Sequence, residues 1–138
     1  MFYILKFVEL LDDLKSNNVK LGLVTARLRN SLNNTAPLDF LEIFDSIITG
    51  SDTNESKPSP QPFLKAAKIL GVMPEECIAV ENAPLGVASA RNAKIYCIGI
   101  CKTFDSSYFT EANEVVKSFE KMRNTEAFKK NNSLKLYI

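Results

Sequence analysis

The sequence predicts an α/β protein with a mostly parallel sheet that helices cover on both faces. Apolar runs of strand length alternate with segments of helical periodicity along the 138 residues. The strand runs are nearly continuous in apolar residues, as in "VKLGLVT" over 19–25, which is typical of strands buried on both faces. This alternation favours parallel strands, because each helix supplies the crossover between two of them.

Composition and charge indicate an ordinary soluble domain. The chain is 46% hydrophobic and 24% charged, and its formal net charge is +1. Because neither sign of charge dominates, we expect no nucleic-acid partner and no membrane surface. No apolar run has the length of a membrane-spanning helix, and the apolar N-terminus lacks a basic leader. We therefore expect a cytoplasmic protein.

The numbers of histidines and cysteines limit the kinds of catalytic, metal and disulfide site that this chain can form. The sequence has no histidine, which excludes histidine-based acid–base catalysis and most zinc sites. The cysteines are three in number, Cys77, Cys97 and Cys101, and two of them lie in apolar runs. An odd number of thiols in such runs favours buried free thiols in a reducing compartment over a disulfide framework.

The first half of the chain predicts two helices and two strands. Apolar residues at helical spacing predict a first helix that "SNN" at 16–18 ends, and the first strand follows at 19–25. The polar stretch 26–35 is assigned to no element. A short helix is expected in "PLDFLEIF" at 37–44, and "DSIITG" at 45–50 gives the second strand.

A proline-rich loop, "SDTNESKPSPQP" at 51–62, leads into the second half. Pro62 is suited to the first turn of a helix, and Gly71 is suited to its end. "CIAVEN" at 77–82 is the third strand, and a helix is expected over about 84–93.

The remaining segments are shorter. "IYCIGI" at 95–100 predicts a fourth strand, and "NEVVKSF" at 113–119 predicts a short last strand. "EKMRNTEAFKK" at 120–130 is expected to form a last helix, and no element is assigned to the tail at 131–138.

Polar residues end or follow these strands, and parallel strands bring their carboxyl ends to one edge. Thr25 with the N–H of Ala26 suits a phosphoryl oxygen, or Thr25 is a helix cap. Lys57 either balances phosphoryl charge or is a solvated loop lysine. Glu81 and Asn82 offer oxygen ligands of the kind Mg²⁺ takes, or they cap the helix that follows.

Three stretches in this order resemble the motifs of one family. "VKLGLVTA", "SKPSPQPFLKAAKILGV" and "CIAVENAPLGVASARNAK" look like the second, third and fourth motifs of the haloacid dehalogenase (HAD) superfamily. The nearest subgroup is the β-phosphoglucomutase-like phosphatases, and the resemblance runs from about Val8 to about Met122. It implies a three-layer, Rossmann-like core, incomplete at the N-terminus, with a mostly parallel sheet.

The resemblance also implies a reaction and a role for each residue. The reaction is phosphoryl transfer through an aspartyl-phosphate on a small phosphorylated metabolite. Thr25 and Lys57 would act in catalysis and bind the phosphate together with Ala26. Glu81 and Asn82 would hold Mg²⁺. Because Asn82 stands where the family usually has a charged ligand, we expect weak or absent Mg²⁺ binding.

Two parts of the family pattern have no match. The family's first motif, a strand ending in Asp-x-Asp, supplies the nucleophile, but Asp12 and Asp13 are adjacent in the first helix, and Asp45 and Asp52 flank the second strand. The helical cap is missing as well. We therefore expect 1–138 to form a single partial core domain with motifs two to four, inactive as an isolated chain.

Two other functions stay open. One is a non-catalytic binding or interaction domain derived from the same core. The other, which we rank last, is a flavodoxin-like or receiver-like domain, since receivers need an acidic cluster after the first strand and this chain has none there.

The missing first-motif strand raises a structural question. In this family it lies between the strands that end here at Thr25 and at Glu81, so its absence would leave two unpaired strand edges. We expect the position to be filled by the tail "LKLYI", by the start "MFYIL", or by another chain in a homodimer.

Overall fold

The computed structural model describes residues 2–102, 105–130 and 135–137. Its helices are α1 (Phe2–Ser16), α2 (Arg29–Thr35), α3 (Leu38–Leu41), α4 (Gln61–Leu70), α5 (Pro84–Asn92) and α6 (Glu126–Lys130). Its strands are β1 (Lys20–Val24), β2 (Ser46–Ile48), β3 (Cys77–Glu81), β4 (Tyr96–Ile100), β5 (Glu114–Val116) and β6 (Lys135–Tyr137). Short 3₁₀ segments span Pro74–Glu76, Ser106–Phe109 and Phe119–Asn124.

The strands form one parallel sheet in the order β2-β1-β6-β3-β4-β5. Helices α4 and α5 pack on one face, while α1 and the 3₁₀ segment Phe119–Asn124 contact each other on the other side. The predicted fold class is thus confirmed. Side chains alternate along β3: Ala79 belongs to one core cluster, whereas Ile78 and Val80 belong to the other.

The tail fills the predicted gap in the middle of the sheet. β6 lies between β1 and β3, with Leu136 in register with Leu21 on one side and with Ile78 on the other. The alternative that the start of the chain fills the gap is wrong, because residues 2–5 belong to α1. A homodimer remains an untested prediction.

β6 is shorter than the strands beside it. It has three residues, whereas β1 and β3 have five each. Its register pairs Lys135–Tyr137 with Lys20–Gly22 of β1 and with Cys77–Ala79 of β3.

Helix α4 forms as its apolar stripe predicts. Its buried residues include Phe63, Ala66 and Leu70, and Gly71 ends the helix in the left-handed conformation, with φ of 68°. That conformation costs a glycine little, because it has no Cβ.

Two helical predictions need correction. The polar stretch 26–35 contains α2, which buries only Leu32, so its sequence carries almost no apolar periodicity. The predicted helix over 120–130 is wrong as one element. It is divided into a 3₁₀ segment and α6 by Thr125, which is buried and extended, with ψ of 152°.

In the described part of the chain, no helix combines the length and the apolar character needed to cross a membrane.

Candidate phosphate-binding site at the carboxyl edge of the sheet

The residues after β1 form a tight loop in which one backbone N–H, that of Ala26, has no hydrogen-bond partner among the described residues. Thr25 N–H donates to the Ile48 carbonyl at 2.9 Å, and Arg27 N–H donates to Thr25 Oγ1 at 3.2 Å. Ala26 N–H has no hydrogen-bond partner among the described residues. The N-cap of α2 is Leu28, so the interpretation of Thr25 as a helix cap is wrong.

Gly50, after β2, holds this loop in place. Its N–H donates to the Arg27 carbonyl at 2.8 Å. A Cβ at this position would lie 2.4 Å from the Ala26 carbonyl oxygen, far inside van der Waals contact. The absence of a side chain at residue 50 therefore lets the loop carrying Thr25 and Ala26 pack directly on the end of β2.

Lys57 extends from the proline-rich loop to the carboxyl ends of β1 and β3. Its Nζ donates to the Val24 carbonyl at 3.1 Å and to Glu81 Oε1 at 2.5 Å, and it lies 5.1 Å from the centre of the Phe63 ring. Its side chain is only 15% exposed. The interpretation of Lys57 as a solvated loop lysine is therefore wrong.

Glu81 is a buried carboxylate at the end of β3. It is 6% exposed, and a Cβ on Gly86 of α5 would lie 1.9 Å from its Oε2, so the carboxylate occupies the space above that glycine. Burial raises the pKa of Glu81, against the opposing effects of the Lys57 ammonium and the Asn82 N–H.

Asn82 follows Glu81 and is exposed. The N-cap of α5 is Ala83 and Pro84 begins the helix, so the interpretation of Asn82 as its cap is wrong. The side-chain amide of Asn82 has no hydrogen-bond partner in the described part of the chain, which leaves it available to a ligand.

These side chains line one cavity of about 530 Å³ at the carboxyl edge. Its polar lining consists of Thr25, Ser56, Lys57, Glu81, Asn82 and Lys102. The strand ends contribute an apolar floor of Leu23, Val24, Val80 and Ile100. A smaller recess of about 140 Å³ adjoins it and is shared by Thr25, Ala26, Ser56 and Lys57. The structure thus brings together all five residues that the sequence predicted for the site.

Ser56, Lys102 and Phe119 also line the cavity, and the sequence analysis missed them. Lys102 comes two residues after β4, and its Nζ lies 4.8 Å from the centre of the Phe119 ring. Lys102 follows the end of β4 as Thr25 follows β1, so its position after a strand is a local signal that points to this edge. Phe119 is far away in sequence, and no local pattern points to it.

No aspartate is among the described residues that line the cavity, where Glu81 is the sole carboxylate. Asp45 accepts a hydrogen bond from Leu21 N–H at 2.8 Å, and Asp52 is bound to Thr49 and Arg29. These two aspartates therefore hold loops and strands of the fold together.

The donor set does not by itself fit a resident Mg²⁺. Mg²⁺ needs oxygen ligands in nearly octahedral geometry. No group of three or more acidic, histidine or cysteine side chains suited to a metal occurs in the described ranges. The Glu81 carboxylate is already neutralised by Lys57, and Asn82 offers an uncharged oxygen.

Comparison with known proteins agrees with the motif pattern. The model of the haloacid dehalogenase-like hydrolases matches residues 3–100, which is well over half of the chain. The chain belongs to this family. This HAD-like chain is 33% identical to validoxylamine A 7′-phosphate phosphatase of Streptomyces hygroscopicus subsp. limoneus over 117 residues, 84% of the chain and 55% of the relative. It is also 33% identical to β-phosphoglucomutase of Bacillus subtilis over 91 residues, 66% of the chain and 40% of the relative.

The solved structures give the same result. The crystal structure of β-phosphoglucomutase from Clostridium difficile superposes with a TM-score of 0.74 at 31% identity, and the match covers 91% of this chain and 54% of that one. The chain thus spans about half the length of these relatives. The predicted family and subgroup are confirmed, whereas the roles of Thr25, Ala26, Lys57, Glu81 and Asn82 stay predictions.

Proposed function

We propose that this chain is the carboxyl part of a HAD-like phosphohydrolase or phosphomutase that acts on a small phosphorylated metabolite. The observation that carries the proposal is the convergence of Thr25, the open N–H of Ala26, and Lys57 on one cavity. A hydroxyl, an amide and an ammonium are complementary to the oxygens of a phosphoryl group. Relatives named as a phosphatase and as a phosphoglucomutase support the reaction class.

In this proposal each residue has a separate part in binding the phosphoryl group. Ala26 N–H donates to one oxygen, and Thr25 Oγ1 offers a hydroxyl to another. The Lys57 ammonium donates two of its three protons to the Val24 carbonyl and to Glu81, and the third would be donated to a phosphoryl oxygen. Partial neutralisation of phosphoryl oxygens is the main way in which proteins promote phosphoryl transfer.

We infer that the isolated chain binds phosphate without turning it over. An aspartyl-phosphate needs a free carboxylate beside the phosphorus, and the cavity's carboxylate, Glu81, is buried and paired with Lys57. Mg²⁺, when bound in a relative of this family, supplies further positive charge. In this chain Glu81 and Asn82 would hold it weakly or not at all.

A non-catalytic binding domain is the second candidate. The described residues that line the cavity include no aspartate, and the central strand β6 has the sequence Lys135–Leu136–Tyr137, which favours a fold retained for binding. A cytoplasmic location fits either candidate, since the cysteines are free thiols and two of them are buried.

The test has two parts on the same chain. Without added partners, the chain should show no hydrolysis of p-nitrophenyl phosphate with Mg²⁺, and robust turnover would overturn the inferred inactivity. Inorganic phosphate should raise the melting temperature of the wild type but not of Thr25→Ala or Lys57→Ala. Lys129→Ala, an exposed lysine on α6, is the matched control and should respond as the wild type does.

A further inference from the structure

A groove between α1 and α3 lies outside the cavity of the proposed phosphoryl site, and the two share no described lining residue. The volume of the groove is about 630 Å³, and its apolar lining consists of Val8, Ala36, Pro37, Phe40 and Ile43. The Phe40 ring packs edge-on against the Phe44 ring, with ring centres 5.3 Å apart, and Ile43 packs against the same core cluster. The apolar lining is therefore anchored in the core.

Two carboxylates, Asp12 on α1 and Asp39 on α3, complete the lining of this surface, which we call the acidic groove. Both residues are exposed, and neither side chain has a hydrogen bond or an ion pair within the described ranges. Lys15 of α1 donates to the Ile43 carbonyl at 2.8 Å and lies 4.0 Å from Asp45. The groove thus combines an apolar surface with two negative charges that no described lysine or arginine neutralises.

A second hollow, of about 780 Å³, lies along α4. The part of its lining that α4 supplies, here called the α4 face, consists of Leu64, Lys65, Lys68 and Ile69. Each of these lysines lies four positions from one of the apolar residues, so charged and apolar side chains share one side of the helix.

The charge of this second hollow is positive. Lys65 donates to the Asp52 carbonyl, while Lys68 is exposed and has no ion pair in the described part of the chain. Glu55 also lines the hollow, and its carboxylate accepts a hydrogen bond from Ser59 Oγ at 2.6 Å. With two lysines against this one carboxylate, the described lining has a net positive charge.

Each surface also carries an exposed apolar side chain. Leu38, beside Asp39 on α3, is 69% exposed, and Ile69 on the α4 face is 56% exposed. In a contact between the two surfaces these side chains would leave water, and opposite charges would meet around them. The acidic groove and the α4 face are therefore complementary both in charge and in apolar contact.

A single copy of the chain cannot bring the two surfaces together. Phe40 and Ile43 pack on the core cluster of one face of the sheet, whereas Phe63 and Ala66 of α4 belong to the cluster of the other face. A contact between the surfaces therefore requires two copies. Because it joins unlike surfaces, each copy keeps one of them free for a further copy.

We propose that the acidic groove of one copy of this chain binds the α4 face of a second copy. The assembly extends beyond a dimer, into a ring or a short filament, because the contact is heterologous. It differs from a homodimer in which a second chain supplies the central strand, since β6 occupies that place. It is also independent of the proposed phosphoryl site.

The experiment is sedimentation velocity of the full chain over a wide range of concentrations, at low and at high salt. The wild type should associate as its concentration rises, and less so at high salt, because salt screens exposed charges. Two variants each reverse the charge of one surface, Asp12→Lys/Asp39→Lys and Lys65→Glu/Lys68→Glu. Each should raise the concentration needed for half-association by about tenfold or more, since like charges then meet.

A variant with all these substitutions restores opposite charges with the signs exchanged and keeps the net charge of the wild type, so it should associate again. Glu75→Lys/Glu111→Lys changes two exposed residues outside both surfaces, alters the net charge as much as the groove variant does, and should leave association unchanged. Melting temperatures show whether each variant is folded. Lys68→Glu alone, which keeps the bond from Lys65 to Asp52, should weaken association in the same direction.

A wild type that stays monomeric at every concentration would overturn the proposal. Association that neither charge reversal weakens, including a dimer formed through another surface, would overturn it as well. So would a folded variant with all the substitutions that fails to regain the association lost in the two single-surface variants.

Discussion

At the scale of single residues, Lys57 and Glu81 form an ion pair at the carboxyl ends of β1 and β3. Glu81 is 6% exposed and Lys57 is 15% exposed, so each charge has little water and depends on the other. Removing one partner of a buried pair leaves an uncompensated charge and costs more than an exposed pair contributes. The stability of the carboxyl edge of the sheet therefore depends on the positive charge of Lys57 beside Glu81.

Lys57→Met should destabilise the fold by about 3 kcal/mol at pH 8, because it leaves Glu81 buried and charged. The pKa of Glu81 is already raised by burial, so the folded state takes up a proton more readily than the unfolded state. The loss should thus shrink as the pH falls through the raised pKa of Glu81. Urea denaturation at several pH values measures this.

The control is the double variant Lys57→Met/Glu81→Gln. It should regain part of the lost stability at pH 8 and show little of the added pH dependence. A Lys57→Met variant as stable as the wild type at pH 8 would contradict the account of the pair.

Gly86→Ala should displace the Glu81 carboxylate, since the new Cβ would lie 1.9 Å from its Oε2. We expect a lower melting temperature and weaker phosphate binding, although alanine is normally the better helix former by about 1 kcal/mol. Ser89 is buried on the same helix, and Ser89→Ala removes a hydrogen bond to the Ser59 carbonyl without touching Glu81. That control should lose stability but keep its phosphate affinity, and an unaffected Gly86→Ala would speak against the packing described here.

At the scale of elements, β6 explains how the sheet remains continuous. It pairs with β1 and β3 in parallel, so the two inner edges are not left open along Lys20–Gly22 and Cys77–Ala79. β6 thus joins the half of the sheet that contains β1 and β2 to the half that contains β3, β4 and β5.

Leu136→Pro should destabilise the chain by about 3 kcal/mol or more, because proline removes a backbone donor from a central strand. Leu136→Val, which suits a strand, is the control and should cost far less. Melting temperatures of the two variants measure the difference. If Leu136→Pro melted as the wild type does, the tail would not be the strand that completes the sheet.

Local sequence patterns were enough to predict the strands and helices whose apolar residues form a clear run or a clear period. Predicted strands at 19–25, 77–82 and 95–100 became β1, β3 and β4, since a run of apolar residues has few other ways to be buried. The stretch that contains α2 was missed, because a helix with one buried residue has no apolar face to detect. The tail could be named as a candidate for the gap, but the choice depended on contacts that are distant in sequence.

The site was predictable in part for the same reason. Thr25, Lys57 and Glu81 each carry a local signal, a strand end or a lysine before proline, and parallel strands bring such positions together. The pairing of Lys57 with Glu81 and the place of Phe119 could not be predicted, since both depend on how distant segments pack.

At the scale of the whole molecule, we expect the burial of titratable groups to make the fold sensitive to alkali. Burial, with a smaller effect from the Glu81 charge, raises the pKa of the Cys97 thiol to about 12. Burial and the Glu114 carboxylate raise the pKa of Tyr96 to about 12. In both cases the folded state keeps a proton that the unfolded state releases at lower pH.

The free energy of unfolding should therefore fall as the pH rises from about 9 towards 12, the window between the ordinary and the raised pKa values. Below pH 9 these two groups should contribute no pH dependence. Urea midpoints between pH 7 and pH 11 measure the effect. Tyr96→Phe should weaken the decline, and a constant midpoint over this range in the wild type would contradict the burial of Cys97 and the hydrogen bond of Tyr96 to Glu114.

We propose above all that the carboxyl edge of this sheet binds a phosphoryl group at Thr25, Ala26 and Lys57. The most direct measurement is a titration with inorganic phosphate followed by the amide resonances of the ¹⁵N-labelled chain. We predict a saturable shift that is largest for the Ala26 amide and is absent in Lys57→Met. Shifts that are spread over exposed lysines, or an Ala26 resonance that does not move, would contradict the account.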